Sequence, residues 1–199
     1  MSLRLSGGRK LQSPPGSVAR PTPSRVRLAV MNMLAAELPG SLWLDLFCGS
    51  GVMGCEALQK GVAAVVAVDQ NRHMQATTRS NLEAVARGLP QPVSVEVVGQ
   101  EVLRWLGARA QQRYGGTPMA GGFDLIYADP PYSAGLYGAV AAAVTRGGWL
   151  KPGGLMLWEH ATATQPELPS GWVAVKHKRY GTSSVLMLQQ TINPDSGQH

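Results

Sequence analysis

Residues 41–54 read Ser41-Leu42-Trp43-Leu44-Asp45-Leu46-Phe47-Cys48-Gly49-Ser50-Gly51-Val52-Met53-Gly54. The first half is an apolar run broken by one carboxylate, as expected of a parallel strand buried on both faces. Cys48 to Gly54 is its glycine-rich exit, and the helix that follows carries Cys55, Ala57 and Leu58 and stops at Lys60-Gly61. Glycines at 49 and 51 let the backbone pass close to a ligand where a Cβ would intrude. A second strand, Ala63 to Val68, ends in Asp69, where a carboxylate can accept two ribose hydroxyls at once. Together these features specify a βαβ unit holding an adenosine-bearing cofactor. Taken alone, Gly-x-Gly-x-x-Gly also fits a dinucleotide site.

A second stretch carries the chemistry. Phe123-Asp124-Leu125-Ile126-Tyr127-Ala128 is another buried strand, followed by Asp129-Pro130-Pro131-Tyr132. Two consecutive prolines cannot continue a ladder or enter a helix interior, so the chain must leave the sheet there. Asp129 and Tyr132 are thereby expected at the carboxyl end of a strand, where open α/β sheets bind ligands. A carboxylate, a carbonyl and an aromatic ring in one rigid turn suit a planar group with an exocyclic amine: the acceptors take the amino hydrogens and the ring stacks on the base.

The remaining chain fills in around these two stretches. Residues 1–21 are rich in Gly, Ser, Pro and Arg and read as a basic, flexible arm. Thr22 offers an N-cap and Pro23 a first helical position for a helix reaching about Leu38, whose stripe is Val26, Val30, Met33 and Leu34. Arg25 and Arg27 are expected off that stripe, as candidates for phosphate contact. A helix over 71–87, a strand from Val93 to Val98 and a helix from Gly99 to about Arg113 follow, with Gln100 placed to reach an adenine edge. After Tyr132 come a helix over 136–145, a fifth strand from Leu155 to Glu159, and a hairpin of Trp172–Lys178 with Ser183–Gln189. Residues 22–190 thus read as one domain and 191–199 as a disordered tail. The fold class expected is α/β: a Rossmann-like, mostly parallel seven-stranded sheet with helices on both faces and a C-terminal antiparallel hairpin.

Composition narrows the function. The 199 residues include 44% hydrophobic and 15% charged positions, with a net charge of +6. No apolar run approaches the roughly 20 residues of a membrane helix, and with no apolar h-region near Met1 a secretory leader is not expected. Cys48 and Cys55 form neither a disulfide framework nor a zinc pattern, so no metal is expected and a reducing cytoplasm fits. The cations are clustered. Arg4, Arg9, Lys10, Arg20, Arg25 and Arg27 precede the first acid, and Lys176-His177-Lys178-Arg179 forms a second group. With a pI near 9.7, this is the electrostatic footprint of a nucleic-acid binder.

Leu44 to Gly51, Asp69 and Asp129-Pro130-Pro131-Tyr132 together resemble the class I S-adenosylmethionine-dependent amino-methyltransferases. Arg20-Pro21-Thr22, Arg25-Val26-Arg27 and Asn32 are similar to the arm and first helix of the bacterial RsmD-type family. That family modifies the N2 amine of a guanine in small-subunit (16S) ribosomal RNA. The resemblance implies S-adenosylmethionine as cofactor, with Asp45, Gly49 and Gly51 around its methionine end, Phe47 and Ser50 beside them, and Asp69 on the ribose. It implies that Asp129 and the Pro130 carbonyl grip the amine, with Pro131 shaping the turn and Tyr132 against the base. Arg9, Lys10, Arg20, Thr22, Arg25 and Arg27 are the implied RNA contacts, and ribosomal RNA within a ribosomal particle is the implied partner. Two departures stand out: Gly7-Gly8-Arg9-Lys10 is shorter than the family's usual arm, and Gln100 stands where an acid or Asn is more usual. Three rival readings remain: adenine-N6 methylation of DNA or RNA, a nicotinamide-dependent dehydrogenase, and a non-catalytic RNA-binding protein on the same fold. The chain has no separate sequence-reading domain for DNA, and neither of the other two explains an amine clamp.

Overall fold

The computed structural model describes residues 3–13 and 22–191. Seven strands form a single sheet: β1 (Leu42–Leu46), β2 (Ala64–Val68), β3 (Ser94–Val98), β4 (Phe123–Ala128), β5 (Leu150–Ala161), β6 (Trp172–Tyr180) and β7 (Ser183–Gln190). Their order is β3-β2-β1-β4-β5-β7-β6. The first five run parallel, and β7 lies antiparallel to both β5 and β6. The expected fold class is the observed one. The chain winds outward from β1 in one direction to β3, then crosses to β4 and winds the other way. That reversal between β1 and β4 opens a crevice at the carboxyl ends of the strands.

Successive strand residues point to opposite faces, so the apolar runs feed two separate cores. On one face Trp43, Val65, Leu125, Leu157 and Val185 pack under α1 (Ser24–Met33), α2 (Val52–Gln59) and α3 (Arg72–Ala86). On the other, Leu44, Val66, Ile126, Met156 and Leu186 pack under α4 (Val102–Leu106), α5 (Ala110–Tyr114) and α6 (Tyr137–Gly147). Trp105 and Trp149 stack at 4.3 Å in this second core, and the Trp149 indole donates to the Leu106 carbonyl. Among the described residues, no helix is long and apolar enough to cross a membrane.

Several expectations are corrected. Residues 3–13 are not an extended arm but a small hairpin, closed by an Arg4–Lys10 bridge, that buries Leu3, Leu5 and Leu11 in the first core. Leu3 and Leu5, two apart on an extended segment, share one face. Helix α1 starts at Ser24 with Pro23 as its N-cap, and the Thr22 side chain makes no cap bond. The helix expected over 99–113 is split in two around Gly107, and the fifth strand begins five residues early, running through Pro152-Gly153-Gly154. Arg20 and the tail from residue 192 lie outside the described residues.

Candidate functional site

A cleft of about 1000 Å³ opens over the carboxyl ends of β1, β2, β4 and β5. Asp45, Phe47, Gly49, Ser50, Asp69 and Asn71 line its first half. Gly49 and Gly51 hold left-handed backbone, at φ of 52° and 72°, and Phe47 shares that conformation at 60° without being glycine. Only glycine adopts this geometry without strain, and Phe47 is the kind of backbone outlier found where a loop is shaped for a ligand. At Gly49 an added Cβ would meet nothing within 4 Å, so the backbone borders open space. Gly51 sits just behind, at the N-cap of α2, where an added Cβ would lie 2.6 Å from the Thr78 side chain.

Asp69 is fixed from both sides. Its Oδ2 accepts from the Gly49 amide at 2.9 Å and its Oδ1 from the Asn71 amide at 2.8 Å. Each carboxylate oxygen keeps a further lone pair for a ligand. Asp45 is buried on the α2 side of β1, and its Oδ2 accepts from the Gly54 amide at 3.1 Å. Burial pushes its carboxyl up to about 7, the Gly54 amide opposes this, and the Asp69 charge adds to it.

The second half is built on β4 and β5. The ladder ends at Ala128, the Asp129 amide still reaches the Leu46 carbonyl at 3.4 Å, and the prolines turn the chain out. Tyr132 opens a short 3-10 turn at the cleft wall and is 44% exposed as a residue. Asp129, Pro130, Pro131 and Tyr132 all line the cleft, together with Glu159 and Ser183. Glu159, at the end of β5, is 2% exposed. Its carboxylate accepts from the hydroxyls of Tyr127 at 2.5 Å and Tyr132 at 3.5 Å, and its main-chain carbonyl accepts from Tyr137 at 2.7 Å. Burial raises the carboxyls of both Asp129 and Glu159, and the charges of Glu159 and Asp45 raise that of Asp129 further.

The structure gathers most of the expected residues. Asp45, Phe47, Gly49, Ser50, Asp69, the Asp129–Tyr132 turn, Thr22 and Arg25 border one cavity. Gln100 does not line it; Glu101 and Val102 do, and Glu101 also caps α4 through the Leu103 and Arg104 amides. Arg27 is corrected outright. It is 4% exposed and pairs with buried Glu56 at 3.2 Å, with its remaining donors on the carbonyls of Thr22 and Arg4. The spacing that put Arg27 off the stripe ignored α2, which supplies a carboxylate on that side. Arg9 donates to the Ala84 carbonyl on α3, and neither it nor Lys10 borders the cleft. Glu159 was missed, although the same signal that marked Asp129, an acid at the end of an apolar strand, was present in Leu155-Met156-Leu157-Trp158-Glu159. His73 is exposed on α3, whereas His160 is buried and lies 3.2 Å from His177.

The family model described as Conserved hypothetical protein 95 matches residues 5–189. The Ribosomal RNA small subunit methyltransferase D of Escherichia coli K12 is 27% identical over 98% of this chain and 93% of its own. The protein of the same name from Haemophilus influenzae is 28% identical over 92% of this chain and 89% of its own. Among solved structures, Escherichia coli yhhF superposes with a TM-score of 0.80 at 25% identity, covering 97% of this chain and 100% of that one.

Proposed function

The chain belongs to the Conserved hypothetical protein 95 family of RsmD-type methyltransferases, and on that premise we propose that it methylates the exocyclic N2 amine of a guanine in small-subunit ribosomal RNA, using S-adenosylmethionine. The observation that carries the reading is the shared cleft: a glycine cradle with Asp69 on one side faces the Asp129–Tyr132 turn on the other. The cradle suits the cofactor. Gly49 borders open space, and Asp69 has lone pairs to spare for a ribose diol. Asp45, Asp129 and Glu159 line the same cleft, where a cation would offset the burial that raises their carboxyls. When bound, S-adenosylmethionine supplies an electrophilic methyl carbon on a sulfonium.

The protein's own residues do the rest. A guanine amine is a poor nucleophile because its lone pair is delocalised into the ring. Asp129 and the Pro130 carbonyl, accepting both amino hydrogens, favour a pyramidal nitrogen whose lone pair is free to react. Tyr132 stacks on the base and fixes its plane. Positioning of this kind gains roughly 7–11 kcal/mol when two partners are held in line. A paired base must first leave its stack, at a cost of a few kcal/mol. The substrate proposed is ribosomal RNA within a small-subunit particle in the cytoplasm.

The test is transfer of a labelled methyl group to small-subunit particles lacking base methylation, followed by nucleoside analysis. N2-methylguanosine supports the reading. N6-methyladenosine keeps the clamp and overturns the guanine assignment. No transfer to particles, naked RNA or DNA overturns the enzymatic reading and favours an RNA-binding protein.

A further inference from the structure

The two halves of the cleft lie over different strands, and this sets the direction from which a polymer can approach. The half reserved for the cofactor covers β1 and β2, with Glu101 and Val102 of the segment after β3 at its wall. The half reserved for the target base covers β4 and β5, with Thr182 and Ser183 of the β6–β7 hairpin at its wall. A nucleotide inserted at Asp129 leaves its neighbours on that second side, where the sheet continues into β7 and β6.

β6 is the edge strand there. It runs antiparallel to β7, so its carboxyl end lies at the cleft rim: Tyr180 pairs with Ser183, which pairs with Ala161 of β5. Back from the rim, the exposed residues of β6 are Arg179, Lys178, Lys176, Val175, Ala174 and Val173. Lys176 and Lys178 pair with Met187 and Val185 on the α1 face, whereas Arg179 pairs with Ser184 and points to the other face. The ion pairs of the described residues are Arg27–Glu56, Arg87–Glu83 and Lys151–Asp124, so none of the three cations on β6 is paired with a described carboxylate. Nor is there a carboxylate in the sequence between Glu167 and Asp195. Arg25 joins this surface to the cleft, lining the cavity while its guanidinium donates to the Tyr180 carbonyl at 2.9 Å. The opposite end of the basic inventory is spent elsewhere, Arg27 on Glu56 and Arg9 on α3.

We infer that Lys176 and Lys178 on the α1 face of β6, with Arg179 on its other face across the same free edge, continue from Arg25 at the cleft mouth and form the track on which the RNA flanking the target nucleotide lays its phosphates. The inference rests on the RNA-methyltransferase reading and adds to it where the polymer lies. Residues two apart on a strand are spaced about 6.6 Å, so Lys176 and Lys178 address separate positions along a backbone rather than one phosphate. The competing account is that edge lysines serve only to block strand pairing with a second molecule.

The test measures binding of a small-subunit ribosomal RNA fragment as a function of salt for wild type and for Lys176→Ala/Lys178→Ala/Arg179→Ala. Each lost phosphate contact removes roughly 0.7–0.9 from the slope of log affinity against log salt. The triple variant is expected to lose about 2 from that slope and to bind about ten-fold or more weakly near 0.1 M salt. A control with Arg87→Ala/Arg104→Ala/Arg109→Ala, three exposed cations at the C-cap of α3, on α4 and at the N-cap of α5, is expected to keep the wild-type slope. The proposal is overturned if the β6 variant keeps its slope, if the control loses as much, or if the β6 variant self-associates while its slope stays unchanged. Methyl transfer by wild type separates the two levels. Turnover on RNA with an indifferent β6 overturns only the track, whereas no turnover on any RNA overturns the reading beneath it.

Discussion

The hydroxyl of Tyr127 donates to Oε2 of Glu159 at 2.5 Å, joining β4 to β5 two residues before Asp129. Tyr132 reaches the other oxygen of the same carboxylate at 3.5 Å. Glu159 therefore holds the ring expected to stack on the base, and its charge faces the acid expected to grip the amine. Two carboxyls in one closed space do not both ionise readily, and they titrate as a pair. The groups around them are Asp45 on β1, Tyr127 on β4, Tyr132, Tyr137 on α6 and Arg25 at the mouth. Glu159→Gln keeps the shape and removes the charge, so Asp129 relaxes toward the ordinary carboxyl range. The acid limb of the rate–pH profile is expected to move to lower pH, read between pH 5 and 9. A limb that stays in place means the two carboxyls do not communicate through the site.

Asp129→Ala removes one acceptor of the proposed amine clamp and leaves the cations of the proposed RNA track untouched. Methyl transfer is expected to fall by at least 100-fold, with RNA affinity within about three-fold of wild type, a loss in the range of a positioned catalytic group. Single-turnover transfer and filter binding on the same preparations separate the two. Retained turnover with lost RNA affinity would contradict the assigned role.

Asp45 gives the fold a pH dependence of definite sign. Its carboxyl stands at about 7 in the folded protein against an ordinary 3.8, so the native state holds the proton more tightly than the unfolded chain. The stability this contributes is complete below about 4 and is lost as the pH rises through 7. The melting temperature of wild type minus that of Asp45→Asn is expected to fall over that window, measured by thermal scans at half-unit steps. A flat difference would show that Asp45 is not shifted.

Arg25 and Arg27 are two residues apart and are expected to differ in kind. Arg27→Ala strands Glu56, 1% exposed, with a buried charge, and breaking such a pair costs about 3–5 kcal/mol. Arg25 is exposed at the cleft, so Arg25→Ala is expected to cost under about 0.5 kcal/mol of stability and to lower the salt slope of RNA binding by nearly one unit. Urea denaturation alongside binding titrations distinguishes them.

Gly51→Ala combines a positive φ with a Cβ 2.6 Å from the Thr78 side chain. The Thr78 hydroxyl donates to the Gly49 carbonyl at 2.6 Å, so any shift of that side chain deforms the cradle. A loss of at least about 1 kcal/mol in stability is expected, with weaker binding of S-adenosylmethionine by calorimetry. Thr78→Ala combined with Gly51→Ala is expected to recover part of both.

The strands and the cradle were legible because their signals are local: apolar runs, glycines at fixed offsets, an acid or a proline pair where a strand stops. Asp69 and Asp129 were found by that grammar, and Glu159 obeyed it too but lacked a neighbouring proline to draw the eye. What was not legible depended on partners far along the chain. Arg27 looked solvated because its carboxylate lies on α2, and Gln100 looked placed because a one-residue difference decides whether Gln100 or Glu101 meets the cleft. Residues 3–13 read as an arm because three leucines in a polar segment show no period until a core is there to receive them.

That hairpin has a consequence for how the protein is made. Its partners are Glu56 for Ser6, Asn81 for Gln12 and the Ala84 carbonyl for Arg9, and Asn81 in turn donates to the Ser50 carbonyl of the glycine loop. Every one of them has been synthesised before β4 begins. Residues 3–13 can therefore clasp the Gly49–Asp69 half of the cleft while the Asp129–Glu159 half is still being translated, an order that favours closing the two halves in sequence. A nascent chain halted after α3 carries every residue needed to close that clasp.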